Sequence, residues 1–525
     1  MSQRPFLLGI DQGTSGSRAL ILDRAGHVRG YGYRPLARLH PHPGWVEQDP
    51  TKVTAGVASA ITTAIADAAC RPTDIAACGI ACQRNTDFVW HAGTGQPLAK
   101  AITWQDLRTD SLLTDLAEWP EADQWRWRLG CTPGPFSSAL HLAWRLRHQQ
   151  EVATAAQAGQ LRVGFSASWL LAALGQPAGY WLDFSLVQQL GLFDFRHKEY
   201  WAGWLAALEI PPEILPGTAP TVHPYGTLAV TGPGGLSAHV PVWAMIGDQQ
   251  GALFGYDCRR PGDTECTHGT ASFINVCTGS EAPYYADVIN TYLAWSLATR
   301  SPHEVGRDPE SDLAHTYCLE ARTAATGSAI RWMVEEARLF DRVEELGPLA
   351  DSVADSGGVV FVPAFSGLFS PTEDATARGT ILGLTLGSSR AHIVRAFVEG
   401  VAYETRAILE RVGADASDFE IAQLKVGGGV SASDVVCQIQ ADALGIPVVR
   451  PAFTETTGRA AALLAGLGSG AWGAPDDFPP LPGEHTLFEP RITADERDAG
   501  YHRWLAAVER ARGWTVERQA SRLAE

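Results

Sequence analysis

Near its start the chain reads Gly9-Ile10-Asp11-Gln12-Gly13-Thr14-Ser15-Gly16-Ser17-Arg18, between an apolar run that begins at Phe6 and a second run over residues 19–22. Apolar, glycine-rich and apolar segments in this succession predict a strand, a tight turn and a second strand. Consecutive backbone N–H groups in such a turn form a concavity that binds anions, and Thr14 and Ser15 add hydroxyl donors. Asp11 is a candidate Mg²⁺ ligand, because Mg²⁺ prefers one or two carboxylates together with phosphate oxygens. An ordinary polar hairpin has the same pattern, so this stretch alone favours that simpler interpretation.

A related stretch occurs later in the chain. Residues 264–276 place Gly269 and Thr270, followed by small residues, between two further strand-like runs. Two hairpins of the phosphate-binding kind, one in each half of the chain, indicate a duplicated architecture that holds a nucleotide from both sides. The repetition therefore favours nucleotide binding over a chance polar turn.

Length, charge and cysteine content narrow the class of protein. A chain of 525 residues is too long for one core, so two domains are expected. The net charge of −17, without any Lys/Arg block, argues against nucleic acid or an anionic membrane as a partner. The nine cysteines are scattered and include no Cys-x-x-Cys pair, which predicts free thiols in the cytoplasm and no zinc site. No apolar run has the length of a membrane span, so no membrane segment is expected.

Polar residues follow the ends of two apolar runs in the first part of the chain. Gln83 and Arg84 come after the run at residues 75–80, and Asp248 follows the run at residues 240–247. Ligands bind outside the carboxyl ends of strands in open α/β sheets, so these side chains are candidates for a pocket. Simpler alternatives remain for each of them, because Gln83 and Arg84 could form a surface turn and Asp248 could cap a helix.

The later part of the chain alternates strands and helices. Residues 319–340 are predicted to form a helix that contains Gly327, and residues 391–412 a second, amphipathic helix. Three glycines at residues 427–429 lead from a predicted strand towards a helix that begins after Ser433. A glycine turn at a helix N-terminus suits a nucleotide, although three glycines are a weak motif by themselves. The alternation itself is typical of α/β domains.

Short motifs along nearly the whole chain resemble those of the FGGY carbohydrate kinases and, within that family, those of the glycerol kinases. They are Gly9-Ile-Asp-Gln-Gly-Thr14, Trp45-Val-Glu-Gln-Asp-Pro50, Gly79-Ile-Ala-Cys-Gln-Arg84, Trp104-Gln105, Gly247-Asp-Gln-Gln250, Ala252-Leu-Phe-Gly255, Gly269-Thr270, Ala364-Phe-Ser-Gly367, Ala377-Arg-Gly-Thr-Ile381, Gly383-Leu-Thr385 and Gly428-Gly429. The resemblance implies an α/β protein of the actin-like ATPase fold, in which two similar ribonuclease-H-like domains enclose a central cleft. Residues 1–250 (the first half) would bind the substrate and phosphate groups, and residues 251–525 (the second half) would bind the nucleotide.

The same resemblance implies roles for individual residues. Asp248 matches the catalytic base of the family and Asp11 matches its Mg²⁺-linked acid. The positions that match contacts with ATP are Thr14, Ser15, Gly269, Thr270, Gly327, Gly428, Gly429 and Ser433. The positions that match the polyol pocket are Gln83, Arg84, Asn85, Trp104, Phe136, Asp248, Gln249 and Phe273. The implied activity is an ATP- and Mg²⁺-dependent phosphorylation of a terminal hydroxyl of glycerol or a glycerol-like polyol, by a homo-oligomer, either dimer or tetramer.

Three positions depart from the glycerol kinases. Asn85 stands where they have Glu, Phe136 where they have Tyr, and His141 where the family usually has Lys. The first two would remove hydrogen-bond partners of the substrate, so we expect glycerol to bind weakly and keep a ketose kinase of the same family as an alternative. Outside the sugar and polyol kinases, an actin-like ATPase would have no use for the polyol pocket. A catalytically silent sugar sensor would not need Asp11 together with Asp248.

Overall fold

The computed structural model describes residues 4–286, 288–298, 313–415 and 419–515. Its framework consists of two seven-stranded mixed sheets, one in each half of the chain. Six consecutive strands of each sheet share one pattern: three antiparallel strands, then two that run parallel to the third, then an antiparallel one. The seventh strand is antiparallel to its neighbour and lies at the far end of this series in the first sheet and at its near end in the second. The halves therefore repeat one architecture, that of the actin-like ATPase fold, as the two predicted hairpins indicate.

The first sheet is built around the N-terminal hairpin. Its strands are β1 (Phe6–Gln12), β2 (Gly16–Asp23), β3 (Val28–Pro35), β4 (Ile75–Cys82), β5 (Gly175–Pro177), β6 (Val222–Thr231) and β7 (Ser237–Gly247). They lie in the order β3-β2-β1-β4-β7-β6-β5, and β4 runs parallel to both β1 and β7. Gln12, Cys82 and Gly247 end these three strands in register. The residues that follow, among them Arg84 and Asp248, therefore meet at one edge of the sheet.

The second sheet is built around the second hairpin. Its strands are β8 (Thr264–His268), β9 (Ser272–Gly279), β10 (Asn290–Ala298), β11 (Leu313–Arg322), β12 (Leu424–Gly427), β13 (Val448–Pro451) and β14 (His485–Phe488). They lie in the order β10-β11-β9-β8-β12-β13-β14, with β12 parallel to β8 and β13. Strands β8 and β12 thus correspond to β1 and β4 of the first sheet.

Helices cover the sheets and fill the segments between them. They are α1 (Pro50–Asp67), α2 (Asp110–Leu116), α3 (Trp125–Leu129), α4 (Ser138–His148), α5 (Gln150–Gln157), α6 (Ser166–Leu174), α7 (Phe184–Gln189), α8 (Ala202–Leu208), α9 (Asp248–Gly255), α10 (Gly327–Glu335), α11 (Leu346–Asp351), α12 (Arg390–Asp415), α13 (Asp434–Leu444), α14 (Thr456–Gly468) and α15 (Ala494–Ala511). Small strand pairs join Glu47–Gln48 to Ala101–Ile102, Phe88–His91 to Leu161–Gly164, Trp181–Asp183 to Gly217–Ala219, Phe193–Asp194 to Glu199–Tyr200, and Val360–Val362 to Thr380–Leu382.

Strand β1 is buried on both of its faces, which explains why it is a continuous apolar run. Leu8 and Ile10 belong to the apolar core that includes Val57 of α1. Leu7, on the opposite face, belongs to the core that includes Ala461 of α14. A strand covered by helices on both sides has no polar face, so its sequence does not alternate.

Helix α14, from the second half, packs closely against the first half. A Cβ atom added to Gly9 or Gly79 would lie 2.0 Å from the main-chain oxygen of Gly458 or Ala461, respectively. A Cβ atom on Gly255 would lie 2.1 Å from the main-chain oxygen of Thr456. Gly9 and Gly79 let the backbones of the two halves touch, and we call this contact, together with the adjoining contact of Gly255, the seam.

One predicted element differs from the structure in a way that matters for the site. Residues 319–340 do not form a single helix, because the strand β11 continues to Arg322 and α10 begins only at Gly327. Antiparallel pairing with β9 and β10 on both sides fixes the first part as a strand. The helix at residues 391–412 is confirmed and spans Arg390–Asp415.

Two further features bear on the setting of the protein. All nine cysteines are free. Among the residues that the structure describes, no helix combines the length and the apolar character needed to cross a membrane.

Candidate active site

A cavity of about 420 Å³ opens at the strand ends of the first sheet and receives side chains from both halves. Its walls include seven of the eight residues predicted for the polyol pocket, namely Arg84, Asn85, Trp104, Phe136, Asp248, Gln249 and Phe273. Further lining side chains from the first half are Thr14, Arg126 and Gln189, and from the second half Asn290, Tyr292, Glu320, Arg322, Phe369 and Glu373. The cavity is therefore shared between the halves.

Asp248 lies where strand β7 passes into helix α9. Gly247 is the N-cap residue of α9, so Asp248 is the first residue of the helix rather than its cap. Its Oδ1 accepts a hydrogen bond from the backbone N–H of Gln249 at 2.8 Å and lies 3.3 Å from Arg84 Nε. Loss of solvation raises the pKa of Asp248, and the charge of Arg84 opposes that rise. The carboxylate thus faces the cavity with a proton affinity above that of an ordinary aspartate.

Arg84 is held between two acids from different halves. Its Nη2 donates to Oε2 of Glu320 at 2.6 Å, and Nε lies against Asp248. The guanidinium also stands over the ring of Tyr292, 5.6 Å from the ring centre. Nη1 is buried and has no hydrogen-bond partner in the described residues. Because an unsatisfied buried donor is costly, this N–H is suited to a ligand oxygen.

Glu320 is a pocket residue that sequence reasoning missed. It lies on β11, in the segment predicted as helix, and its side chain is only 9% exposed. The alternation along a strand places Glu320 and Arg322 on the same face of the sheet. Recognition of residues 313–322 as a strand would have pointed to both, because two charged residues with this spacing share one face.

Neutral groups complete the inner wall. Trp104 donates from Nε1 to Oγ1 of Thr14 at 2.9 Å, which fixes the plane of the indole ring. Gln249 Oε1 accepts from Asn275 Nδ2 at 3.4 Å. Asn85 has a φ of +52°, a left-handed conformation that Asn adopts more readily than most residues.

Two residues that were noted from the sequence lie behind the cavity. Gln83 is buried, and its Nε2 donates to Gln48 Oε1 at 2.8 Å, so it supports the strand ends and does not line the cavity. His141 is also buried, with Nδ1 2.6 Å from Asp87 Oδ1 and Nε2 2.9 Å from the Pro135 carbonyl oxygen. His141 therefore braces the loop that carries Phe136.

Asp11 has surroundings that suit a divalent cation. Arg18 Nη1 lies 3.3 Å from its Oδ2, and Arg18 Nε lies 3.3 Å from Oε2 of Glu455. Burial raises the pKa of Asp11 to about 7, with Arg18 opposing the rise and Asp248 and Glu455 adding to it. One guanidinium thus contacts two carboxylates, those of Asp11 and Glu455. Among the described residues no cluster of three or more His, Cys, Asp or Glu forms a metal cage, so a cation here would need phosphate oxygens or water as well.

Four of the eight residues predicted to contact the nucleotide come together at the second hairpin: Gly269, Thr270, Gly327 and Gly428. The backbone N–H of Gly327 donates to the carbonyl oxygen of Gly269 at 3.0 Å, and Ser328 donates to that of Thr270. A Cβ atom on Gly428 would lie 2.3 Å from the carbonyl oxygen of His268, so the glycine turn sits directly on β8.

The remaining members of that set lie elsewhere: Gly429 and Ser433 follow the glycine turn, and Thr14 and Ser15 belong to the first hairpin. Gly429 faces open space, since no heavy atom lies within 4 Å of the position that its Cβ atom would take. Ser433 is the residue before α13, and its Oγ lies close to Gly347 of α11. Ser15 is exposed at the tip of the first hairpin, next to Thr14.

Two family models match this chain. Residues 6–255 match the N-terminal domain of the FGGY family of carbohydrate kinases, and residues 265–469 match its C-terminal domain. The glycerol kinase of Aromatoleum aromaticum is 40% identical over 97% of this chain and 99% of its own length. The glycerol kinase of Symbiobacterium thermophilum is 37% identical over 98% of this chain and 99% of its own.

A solved structure agrees with the sequence relatives. The Plasmodium falciparum glycerol kinase, determined with ADP, superposes with a TM-score of 0.86 at 25% identity and covers 96% of this chain and 98% of its own. Similarity of this extent in sequence and in fold, over both halves and the cleft between them, establishes that the chain belongs to the FGGY family of carbohydrate kinases.

Proposed function

We propose that this protein transfers the γ-phosphoryl group of ATP to a terminal hydroxyl of glycerol or a glycerol-like polyol. The observation that carries the proposal is Asp248, a carboxylate of raised pKa that lies beside Arg84 and faces a cavity lined by both halves. Membership of a carbohydrate kinase family and full-length glycerol kinase relatives support the reaction class.

Asp248 would act as the base. The substrate oxygen forms a bond to the γ-phosphorus while the bond from that phosphorus to the β–γ bridging oxygen breaks, and the electron pair leaves with ADP. The hydroxyl proton passes to Asp248, which must be ionised to accept it. Because its pKa is raised, Asp248 takes up a proton at a higher pH than an ordinary aspartate does. As the pH is lowered, kcat/KM should therefore begin to fall at that higher pH.

Arg84 and Trp104 would orient the substrate. Arg84 holds the Asp248 carboxylate through Nε and keeps Nη1 available for a substrate hydroxyl. Trp104, fixed by Thr14, offers an apolar wall for the carbon chain. Transfer needs the hydroxyl in line with the γ-phosphate, so this positioning contributes directly to the rate.

Asp11 would hold Mg²⁺, either directly or through water, at the phosphate groups. When bound, Mg²⁺ neutralises charge on the phosphate oxygens that are transferred. Thr14, Ser15 and Thr270 would donate to phosphates from the two hairpins, while Gly327, Gly429 and Ser433 would border the nucleotide. This assignment gives residues 1–250 a part in both substrate and phosphate binding and gives residues 251–525 the binding of the nucleotide.

The setting of the reaction forms part of the proposal. Nine free cysteines suit a reducing cytoplasm. A homo-oligomer, dimer or tetramer, is proposed because Leu384 and Leu386 expose neighbouring apolar side chains, 56% and 109% exposed, that a subunit contact would cover. Light scattering coupled to size-exclusion chromatography would measure the mass, and a monomer at micromolar concentration would refute this part.

The test of the reaction is the Asp248→Asn variant. Loss of a positioned base should lower kcat on the best polyol by about 10²–10⁴-fold while ATP binding changes little. Asp110→Asn is the matched control, since Asp110 is likewise the first residue of a helix, α2, and is exposed. Near-full turnover of Asp248→Asn, with the wild type active on polyols, would refute the role of Asp248.

A further inference from the structure

The cavity has an outer end that differs from the end at Asp248. Strand β11 carries Glu320, which is bound to Arg84, and then Arg322 on the same face, about 7 Å further along the strand. Arg322 lines the same cavity together with Phe136 and Phe369. A ligand that reaches from Asp248 to Arg322 must therefore be longer than one that ends at Glu320.

The guanidinium of Arg322 lies between aromatic side chains. It stands 4.4 Å from the ring centre of Phe369 and 5.7 Å from that of Phe136. Burial lowers the pKa of Arg322, while Glu320 and Glu373 act in the opposite direction. Glu320 is already bound to Arg84, and Glu373 is exposed. Within the described parts of the chain, Arg322 makes no ion pair.

A second guanidinium lies at the cavity wall. Arg126 donates to the carbonyl oxygen of Ile289 at 3.1 Å and to Asn290 Oδ1 at 3.4 Å, both of them uncharged acceptors. Gln189, also on the wall, has a buried Nε2 without a partner in the described residues. Besides Arg84, the cavity wall therefore carries two guanidinium groups, those of Arg126 and Arg322, and one exposed carboxylate, that of Glu373.

A neutral polyol is a poor match for these charged groups. Arginine pairs with carboxylates in a planar, two-point arrangement, and such pairs are stronger than hydrogen bonds to hydroxyls. A partly desolvated Arg322 that faces only hydroxyls would keep its charge unpaired, whereas a carboxylate would neutralise it. The flanking rings of Phe136 and Phe369 exclude water and strengthen that preference.

We propose that the preferred substrate is a polyhydroxy acid of the aldonate class, longer than glycerol, whose carboxylate pairs with Arg322 while its far terminal hydroxyl faces Asp248. This inference rests on the proposed phosphoryl transfer and specifies its substrate. Arg322 is then a specificity-determining residue that contacts the part of the substrate remote from the reaction.

The test uses substrates that differ in one group. Each acid is paired with the polyol of equal length: glycerate with glycerol, erythronate with erythritol, and xylonate with xylitol. The wild type should phosphorylate the longer acids with kcat/KM at least about tenfold above their paired polyols, because a hydrogen bond to a charged group is the stronger one. Calorimetric titration of the same compounds measures the preference independently of turnover.

Variants of Arg322 isolate its contribution. Arg322→Gln should lower kcat/KM and affinity for the acids by about ten- to a hundredfold and change those for the polyols by no more than about threefold. Arg322→Lys keeps the charge and should retain part of the acid preference. Arg331→Gln, an exposed arginine on α10, is the matched control and should change neither. The KM for ATP should be unaltered in all three variants.

The outcomes separate the two proposals. Equal or better binding and turnover of the polyols by the wild type would overturn the inference while leaving the kinase reaction intact. An equal loss on acids and polyols in Arg322→Gln, without recovery in Arg322→Lys, would overturn it as well. Tight, Arg322-dependent binding of the acids without any phosphorylation would keep the inference about the pocket and refute the proposed reaction.

Discussion

The two hairpins that face the cleft have the same strand pairing but different chemistry. The first, β1–β2, carries a buried acid, Asp11, which is tied through Arg18 to Glu455 of the other half. The second, β8–β9, carries the exposed Gly269 and Thr270, and the backbone carbonyls of these residues hold the start of α10. One hairpin supplies charge and the other supplies neutral backbone and hydroxyl groups.

This difference shows that two copies of one fold can carry out different parts of the same function. Both turns can approach phosphate groups closely, because glycines at their tips leave the backbone accessible. Only the first hairpin adds a carboxylate that can bind a cation. This carboxylate must be ionised and accurately placed. We therefore expect changes in the first hairpin to have larger effects than equivalent changes in the second.

The largest difference between the two hairpins should be in their contribution to kcat. Asp11→Asn should lower kcat by about 10²–10³-fold, because a cation that neutralises transferring phosphate oxygens is lost. Thr270→Val, the counterpart in the second hairpin, removes one neutral donor and should lower kcat by about tenfold at most. Steady-state kinetics at saturating ATP and Mg²⁺ would measure both, and equal losses would contradict the comparison.

The pH dependence of the Mg²⁺ requirement provides a control for that experiment. The pKa of Asp11 is raised to about 7, so protons compete with the cation below that pH. The Mg²⁺ concentration for half-maximal rate should rise as the pH falls through about 7 in the wild type. Asp11→Asn should show a weaker dependence, because only protonation of the ATP phosphates then competes with the cation.

The next difference concerns stability. Gly9→Ala places a Cβ atom 2.0 Å from a main-chain oxygen at the seam and should lower the free energy of unfolding by about 1–3 kcal/mol. Gly269→Ala is the matched change in the second hairpin, where the nearest atom is 3.5 Å away, and should be tolerated. Chemical denaturation would measure both, and a neutral Gly9→Ala would show that the seam can open at no cost.

The smallest expected effect is on the pH dependence of stability, and it comes from a comparison of two buried acids. Asp11 has Arg18 beside it, whereas Glu404 on α12 is 4% exposed and its Oε2 has no hydrogen-bond partner in the described residues. Burial raises the pKa of Glu404 from 4.5 to about 8, so the folded chain binds this proton more tightly than the unfolded chain. Stability present at low pH is then lost as the pH rises from 4.5 to about 8.

Glu404→Gln should remove that loss. The variant should match the wild type near pH 5 and exceed it at pH 8 by about 1 kcal/mol or more in the free energy of unfolding. Thermal or chemical unfolding at the two pH values would measure this difference. A constant difference between the proteins across this range would mean that Glu404 does not carry the proton.

The local sequence pattern predicted the strands and hairpins of the two sheets and the half of the pocket next to Asp248. Both hairpins and the strand that leads into Asp248 follow from apolar runs broken by glycines, and these features depend on short-range geometry. Gln83, in contrast, follows a strand end as predicted and yet points away from the cavity, because the neighbouring Gln48 draws its amide inwards.

The outer half of the pocket depends on long-range pairing. Residues 313–322 contain Ala, Leu, Glu and Arg, which favour helices, but pairing with β9 and β10 fixes them as a strand. That pairing alone aligns Glu320 with Arg84, a contact between residues that are 236 positions apart. No local signal in the sequence reports such a contact.

The seam has a consequence for the entropy of closing the cleft. It is formed by Gly9, Gly79 and Gly255 against α14, whose buried face includes Ala460 and Ala461. Glycine and alanine lose no side-chain rotamer freedom when they are packed. The halves can therefore be held together with little ordering at the seam, so the ordering that a ligand must bring about is concentrated in long pocket side chains such as those of Arg84 and Arg322.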